Sequence, residues 1–167
     1  PEMVHTAEQL LELCQKHYGP AHPQSLGKLR DLAQMYWGTD NTMAEALFKE
    51  MLAITEKAYG LQHVETVRSL NALATYYDRN GNFDQAYPLY LQAIDMEETL
   101  RPPNDPGLAS NINDLAFACE YFKEYEKAEA LYLRALDIVK RESGPTHPYT
   151  AFCLNNLSQL YKKMEKQ

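Results

Sequence analysis

Apolar and small residues recur along the chain at intervals of three and four: Leu29, Leu32, Ala33 and Tyr36, then Leu70, Leu73, Ala74 and Tyr77. Ile112, Leu115, Ala116 and Cys119 follow the same rule, as do Leu154, Leu157, Ser158 and Tyr161. That spacing lines one side of an α-helix and does not fit the strict alternation of a half-buried strand. A second set lies between the first: Ala44, Leu47, Phe48, Met51 and Leu52; Ala86, Leu89, Tyr90, Ala93 and Ile94; Ala128, Leu131, Tyr132, Ala135 and Leu136. Charged residues such as Lys127, Glu129 and Arg134 fill the intervals, so each segment reads as an amphipathic helix with one face to hide.

The stripes are copies of one another. An offset of 42 residues superimposes the later sets, and 41 brings in the first, the missing residue falling in GTDNT, residues 38–42. A period of this length marks an array of helix pairs in which each pair covers its neighbour's stripe. The expected organisation is a single repeat domain: residues 1–21 as the second helix of a preceding repeat, with the run Gln9 to Leu13 as its stripe; repeats over 22–62, 63–104 and 105–146; and residues 147–167 as the first helix of a further repeat. Each terminal helix then has an apolar face lacking its usual neighbour.

Within repeats the turns are NGNFD, residues 80–84, and FKEYE, residues 122–126, after which the small Ala86 and Ala128 let paired helices approach closely. Between repeats lie GPAHPQS, YGLQHVET, PPNDPGLA and GPTHPYT. Gly19, Gly60 and Gly144 stop helices there, and Pro23, Pro106 and Pro148 start them. His22, His63, His147 and, once, Asp105 occupy the position just before each new helix, where a polar side chain can cap free backbone amides. Residues that recur once per repeat are spread along the array rather than converging, so neither a catalytic histidine nor a metal site is expected.

The remaining chemistry is mainly exclusion. No apolar run approaches the roughly 18 residues of a membrane span. The opening PEMVHTAEQLLELC has no basic segment followed by an apolar block, and lacking an initial Met it reads as an excised fragment. Cys14, Cys119 and Cys153 are odd in number and show no CxxC spacing, which points to a reducing, cytoplasmic setting rather than a disulfide framework. A net charge of -7 disfavours nucleic-acid binding, which needs a clustered basic surface. With no glycine-rich phosphate loop and no nucleophile beside a base, no enzyme activity and no cofactor are expected.

The order LxxLAxxY, a turn, Ala86 or Ala128, Tyr90 or Tyr132, then Ala93 or Ala135, resembles the tetratricopeptide repeat. With the 42-residue period and the GPTHP-type linker, it is most similar to the repeats of kinesin light chains. The resemblance implies an all-α fold, a right-handed α-solenoid of antiparallel helix pairs whose first helices line a concave groove. It implies as groove residues Arg30, Gln34 and Trp37 in the first full repeat; Arg68, Asn71, Thr75, Asp78 and Arg79 in the second; Ser110, Asn113, Phe117, Glu120 and Tyr121 in the third; and Phe152, Asn155, Gln159, Lys162 and Lys163 in the last. Five cations (Arg30, Arg68, Arg79, Lys162, Lys163) against two carboxylates (Asp78, Glu120) give that face +3 on a chain of -7.

Asn71, Asn113 and Asn155 are equivalent under the 42-residue offset. Asparagine is a poor helix former, so its recurrence off the apolar stripe asks for a reason. Either the amides grip the backbone of an extended peptide or they bond to neighbouring helices. Trp37 is read either as a partner's anchor or as a plug for the short turn beside it. Kinesin light chains take cargo peptides with acidic residues around an aromatic one, and the resemblance implies a similar ligand here. Family members that clamp a terminal carboxylate use lysines and asparagines; Arg30 and Gln34 stand there instead, a departure from that clamp. The expected function is a protein-interaction module holding an extended acidic segment, in an adaptor or cargo-recognition role. Two alternatives stay open: a scaffold that self-associates through its terminal helices, or a regulatory region of a larger protein.

Overall fold

The structure, a computed structural model, describes residues 2–102 and 105–165. Among these residues every regular element is a helix: α1 (Glu2–Tyr18), α2 (Pro23–Tyr36), α3 (Asn41–Tyr59), α4 (Val64–Arg79), α5 (Phe83–Leu100), α6 (Pro106–Tyr121), α7 (Tyr125–Ser143) and α8 (Pro148–Met164). The chain divides into two compact units, Pro1–Tyr76 and Tyr77–Gln167, the boundary falling inside α4.

Helix starts follow the capping chemistry expected of the linkers. The backbone amides of Gln24, Glu65 and Tyr149 donate to Nδ1 of His22, His63 and His147, each at 3.2 Å. At α6 the amide of Gly107 donates to Asp105 Oδ1 at 2.8 Å. Each histidine therefore satisfies an otherwise orphaned donor on its own helix. Two of the rings also stack on a tyrosine from the preceding helix, Tyr18 on His22 and Tyr59 on His63, with centroids 4.7 and 4.4 Å apart.

In the first unit α2 packs on both α1 and α3. Leu29, Ala33, Ala44, Phe48, Val67 and Leu70 form its dry centre. Trp37, half-buried at the end of α2, lies with Tyr76 and Phe48 at centroid distances of 5.5 and 6.5 Å, beside the shortened GTDNT turn. In that turn Asp40 Oδ1 accepts from the amide of Met43 at 3.0 Å and starts α3.

In the second unit α6 packs on α5 and α7, and α8 packs on α7. Ala86, Ala93, Ala128 and Ala135 are completely buried, which lets Tyr90 and Tyr132 be enclosed between helices. Not every repeat tyrosine is core: Tyr161, placed on the packing stripe by periodicity, is 40% exposed and donates to Glu129 at 2.6 Å. Its hydroxyl therefore stays at the surface, held by Glu129 of α7.

Candidate peptide-binding surface

The residues expected to face a ligand lie on both units. On the first unit, Arg30, Gln34 and Arg68 are exposed, while Trp37, Asn71 and Thr75 are half-buried. Arg30 of α2 and Arg68 of α4 line one cavity, together with Pro23, Gly27, Met51 and Ser69. Glu65 lines it too and holds Arg68 through Nη1 to Oε1 at 2.5 Å. Arg30 makes no ion pair among the described residues, leaving its guanidinium as the free cation of this cavity. The side-chain oxygen of Asn71 is buried and accepts no hydrogen bond among the described residues.

On the second unit the equivalent asparagines separate. Asn113 is 4% exposed and accepts from Asn156 Nδ2 at 2.8 Å, tying α6 to α8. Asn155 is exposed, as are Gln159 and Lys162 on the same helix and Arg79 at the end of α4. Phe117 and Tyr121 are exposed on α6 and come together on Phe83 of α5, with Tyr121 stacked at a centroid distance of 3.8 Å and Phe117 at 6.0 Å. Phe122 adds to this patch at right angles to Tyr121.

Two polar clusters modify the charge expected of this face. Glu120 is buried and accepts from the Tyr132 hydroxyl at 3.2 Å and from the Lys163 ammonium, so that lysine is held by the protein's own carboxylate. Asp114 is pushed up to about 7 by burial first, then by the nearby carboxylate of Asp78, against the opposing pull of Arg79 and Asn113. Burial also raises Asp78, whose Oδ1 has no hydrogen-bond partner among the described residues. Near neutral pH the Asp114 carboxyl is about half protonated, which moderates the acidity around Arg79.

Phe83, Phe122, Asp114 and Asn156 were absent from the residues expected on sequence. Phe83 stood in a turn signal, and Asn156 stood one position from its repeating neighbour Asn155. Only the 42-residue offset could have flagged Asp114, since it is equivalent to Ala72 and Asn156, all three off the packing stripe and half-buried.

Comparison with known proteins agrees with this architecture. The sequence model described as "Tetratricopeptide repeat" matches residues 26–99 and 108–167. Curated relatives include the clustered mitochondria protein homologs of Aspergillus oryzae and Aspergillus terreus, each 26% identical over 116 residues, which is 69% of this chain. The chain spans only 9% of the length of those relatives. Among solved structures, a kinesin light chain-type protein of Podosopora anserina with nearly identical TPR-like repeats gives a TM-score of 0.80 at 22% identity, covering 99% of this chain and 79% of that one. BtubC (BKLC) from P. vanneervenii gives 0.84 at 23% identity, covering 96% and 65%. The fold shared with these structures is the all-α array of repeated helix pairs that the periodicity implied.

Proposed function

Because the chain belongs to the tetratricopeptide repeat family, whose repeats are protein-interaction modules, we propose that it binds an extended acidic peptide segment on the exposed face of its first helices, in an adaptor or cargo-recognition role. The observation that carries this is the cavity of the first unit, where Arg30 lacks a carboxylate partner and stands with Arg68. An unpaired guanidinium in a concave site offers a planar donor fork that matches a carboxylate, and it steers acidic segments on a chain otherwise negative. On the second unit the exposed Phe117 and Tyr121 supply a hydrophobic rest for an aromatic side chain. The asparagines divide between the two tasks weighed earlier: Asn113 serves neighbouring helices, and the exposed Asn155 is the one left for a ligand. A cytoplasmic setting belongs to the proposal, since Cys14, Cys119 and Cys153 are all free thiols. Among the described residues no helix is long and apolar enough to cross a membrane.

Fluorescence anisotropy with a labelled peptide of alternating aspartates around one tryptophan tests the reading, with the same peptide carrying asparagines as control. The acidic peptide binds, its affinity falls as salt rises, and Arg30→Glu weakens it by about tenfold or more. Equal affinity for the two peptides, or indifference to Arg30→Glu, refutes acidic recognition by this face.

A further inference from the structure

Resting on the acidic-peptide reading above, we infer that Gly27 is a specificity-determining residue of the first unit. By lacking a side chain it opens the cavity in which one carboxylate side chain of the peptide reaches Arg30.

Gly27 stands inside α2, four residues after Pro23. Glycine there costs helix stability relative to alanine, because its backbone loses more freedom on folding. The usual reasons for bearing that cost do not apply. Its backbone lies outside the left-handed region that Gly19, Gly38, Gly60, Gly81 and Gly144 occupy. Nor does a neighbouring element press against it: a Cβ built on Gly27 meets no atom within 4 Å beyond its own helix. The free protein would therefore accept alanine at this place and gain by it.

The repeat shows what normally stands there. Offsets of 41 and then 42 residues make Gly27 equivalent to Arg68, Ser110 and Phe152, all on the face expected to meet a ligand and all carrying a side chain. Gly27 alone of the four contributes no side chain.

The space it lines is a cavity of about 190 Å³. That is smaller than the roughly 300 to 1,000 Å³ of sites for free small molecules, and it suits the end of one partner side chain. Arg30 follows Gly27 by three residues and so shares its side of α2, and both line the cavity with Glu65 and Arg68 of α4. Two guanidiniums against one carboxylate leave a formal charge of +1. Because Glu65 holds Arg68 at 2.5 Å, the unmatched charge is that of Arg30, and one incoming carboxylate balances it. Leu26 and Met51, both buried, also line the cavity and give the methylenes of that side chain an apolar rest.

Fluorescence anisotropy with the labelled aspartate-tryptophan peptide, run beside urea unfolding, tests the inference on Gly27→Ala, Gly27→Leu, Arg30→Glu and the double variant Gly27→Leu/Arg30→Glu. Circular dichroism checks that each keeps its helicity. Gly27→Ala raises the urea midpoint yet weakens the peptide by about threefold, and Gly27→Leu weakens it by about tenfold or more, as filling an occupied space does. A purely structural glycine would move stability and binding together. In the Gly27→Leu background Arg30→Glu adds less than about threefold, since the two substitutions remove the same contact. Gly27→Leu binding as tightly as the wild type, losses that multiply in the double variant, or a Gly27→Ala chain less stable than the wild type overturns the role of Gly27 while the Arg30 dependence still upholds acidic recognition. A wild type that does not bind the acidic peptide, or binds it regardless of Arg30→Glu, overturns both.

Discussion

Asn71, Asn113 and Asn155 are indistinguishable in sequence register, yet one is half-buried, one buried and one exposed. Repeat position fixed which way each points from its helix; the burial came from the next helix along, which the register of a single residue does not contain. Asn113 is covered because α8 brings Asn156 to it, and Asn155 has no such neighbour among the described residues. The histidines behave oppositely: a cap acts on the two residues that follow it, so its role was legible from His22, His63 and His147 alone. Replacing His147 by Ala should lower stability by about 1 kcal/mol, read from urea unfolding, as loss of an N-cap usually does. Asp114 makes a prediction of different sign. Its carboxyl is raised from the ordinary range to about 7, so burial favours the neutral form. The stability it allows is complete below about pH 4 and is lost as pH rises through 7. The charges facing it are Asp78 and Arg79, with Tyr132 and Tyr149 nearby. Asp114→Asn should therefore flatten the stability profile between pH 4 and 7 and, above pH 7.5, raise stability by about 2 kcal/mol after allowance for partial exposure. An unchanged pH profile in the variant would show that this carboxyl does not titrate across that range.

The helices themselves were the most legible feature, since intervals of three and four repeated with a period of 42 leave little freedom in element type. The turns were less so. NGNFD and FKEYE look unrelated, but Gly81 and Lys123 are equivalent under the offset and take the same left-handed backbone, with φ of 76° and 61°. Both turns are closed in the same way: Gly81 and Lys123 donate to the carbonyls of Asp78 and Glu120, and Asn82 and Glu124 to those of Tyr77 and Cys119. Geometry is thus imposed by the helix pair, and the sequence follows it in one repeat and resists it in the other. A lysine there bears a cost that glycine does not, because its Cβ crowds the following carbonyl. Lys123→Gly should accordingly stabilise the chain by about 0.5 to 1 kcal/mol in chemical denaturation, partly offset by the greater freedom glycine gives the unfolded chain. Gly81→Ala should destabilise it by a comparable amount. A destabilising Lys123→Gly would mean that unfolded-state entropy outweighs the relief of strain.

Across the whole molecule, stability in a repeat array is set by nearest neighbours, so an element with one neighbour is the first to open. Helix α1 has a single buried residue, Leu11, whereas α3 buries Ala44, Phe48, Met51 and Thr55 and α7 buries six positions. Periodicity placed α1 on the repeat with the run Gln9 to Leu13 as its stripe, but the structure buries only Leu11 of that run and leaves Leu10 and Leu13 exposed, because burial depends on neighbouring helices that the register of one segment does not contain. Hydrogen exchange reads the difference directly. In dilute protein the amides of α1 should exchange at least about tenfold faster than those of α3, because the local opening free energy follows buried apolar contact. Equal protection of α1 and α3 in dilute protein would contradict the nearest-neighbour account.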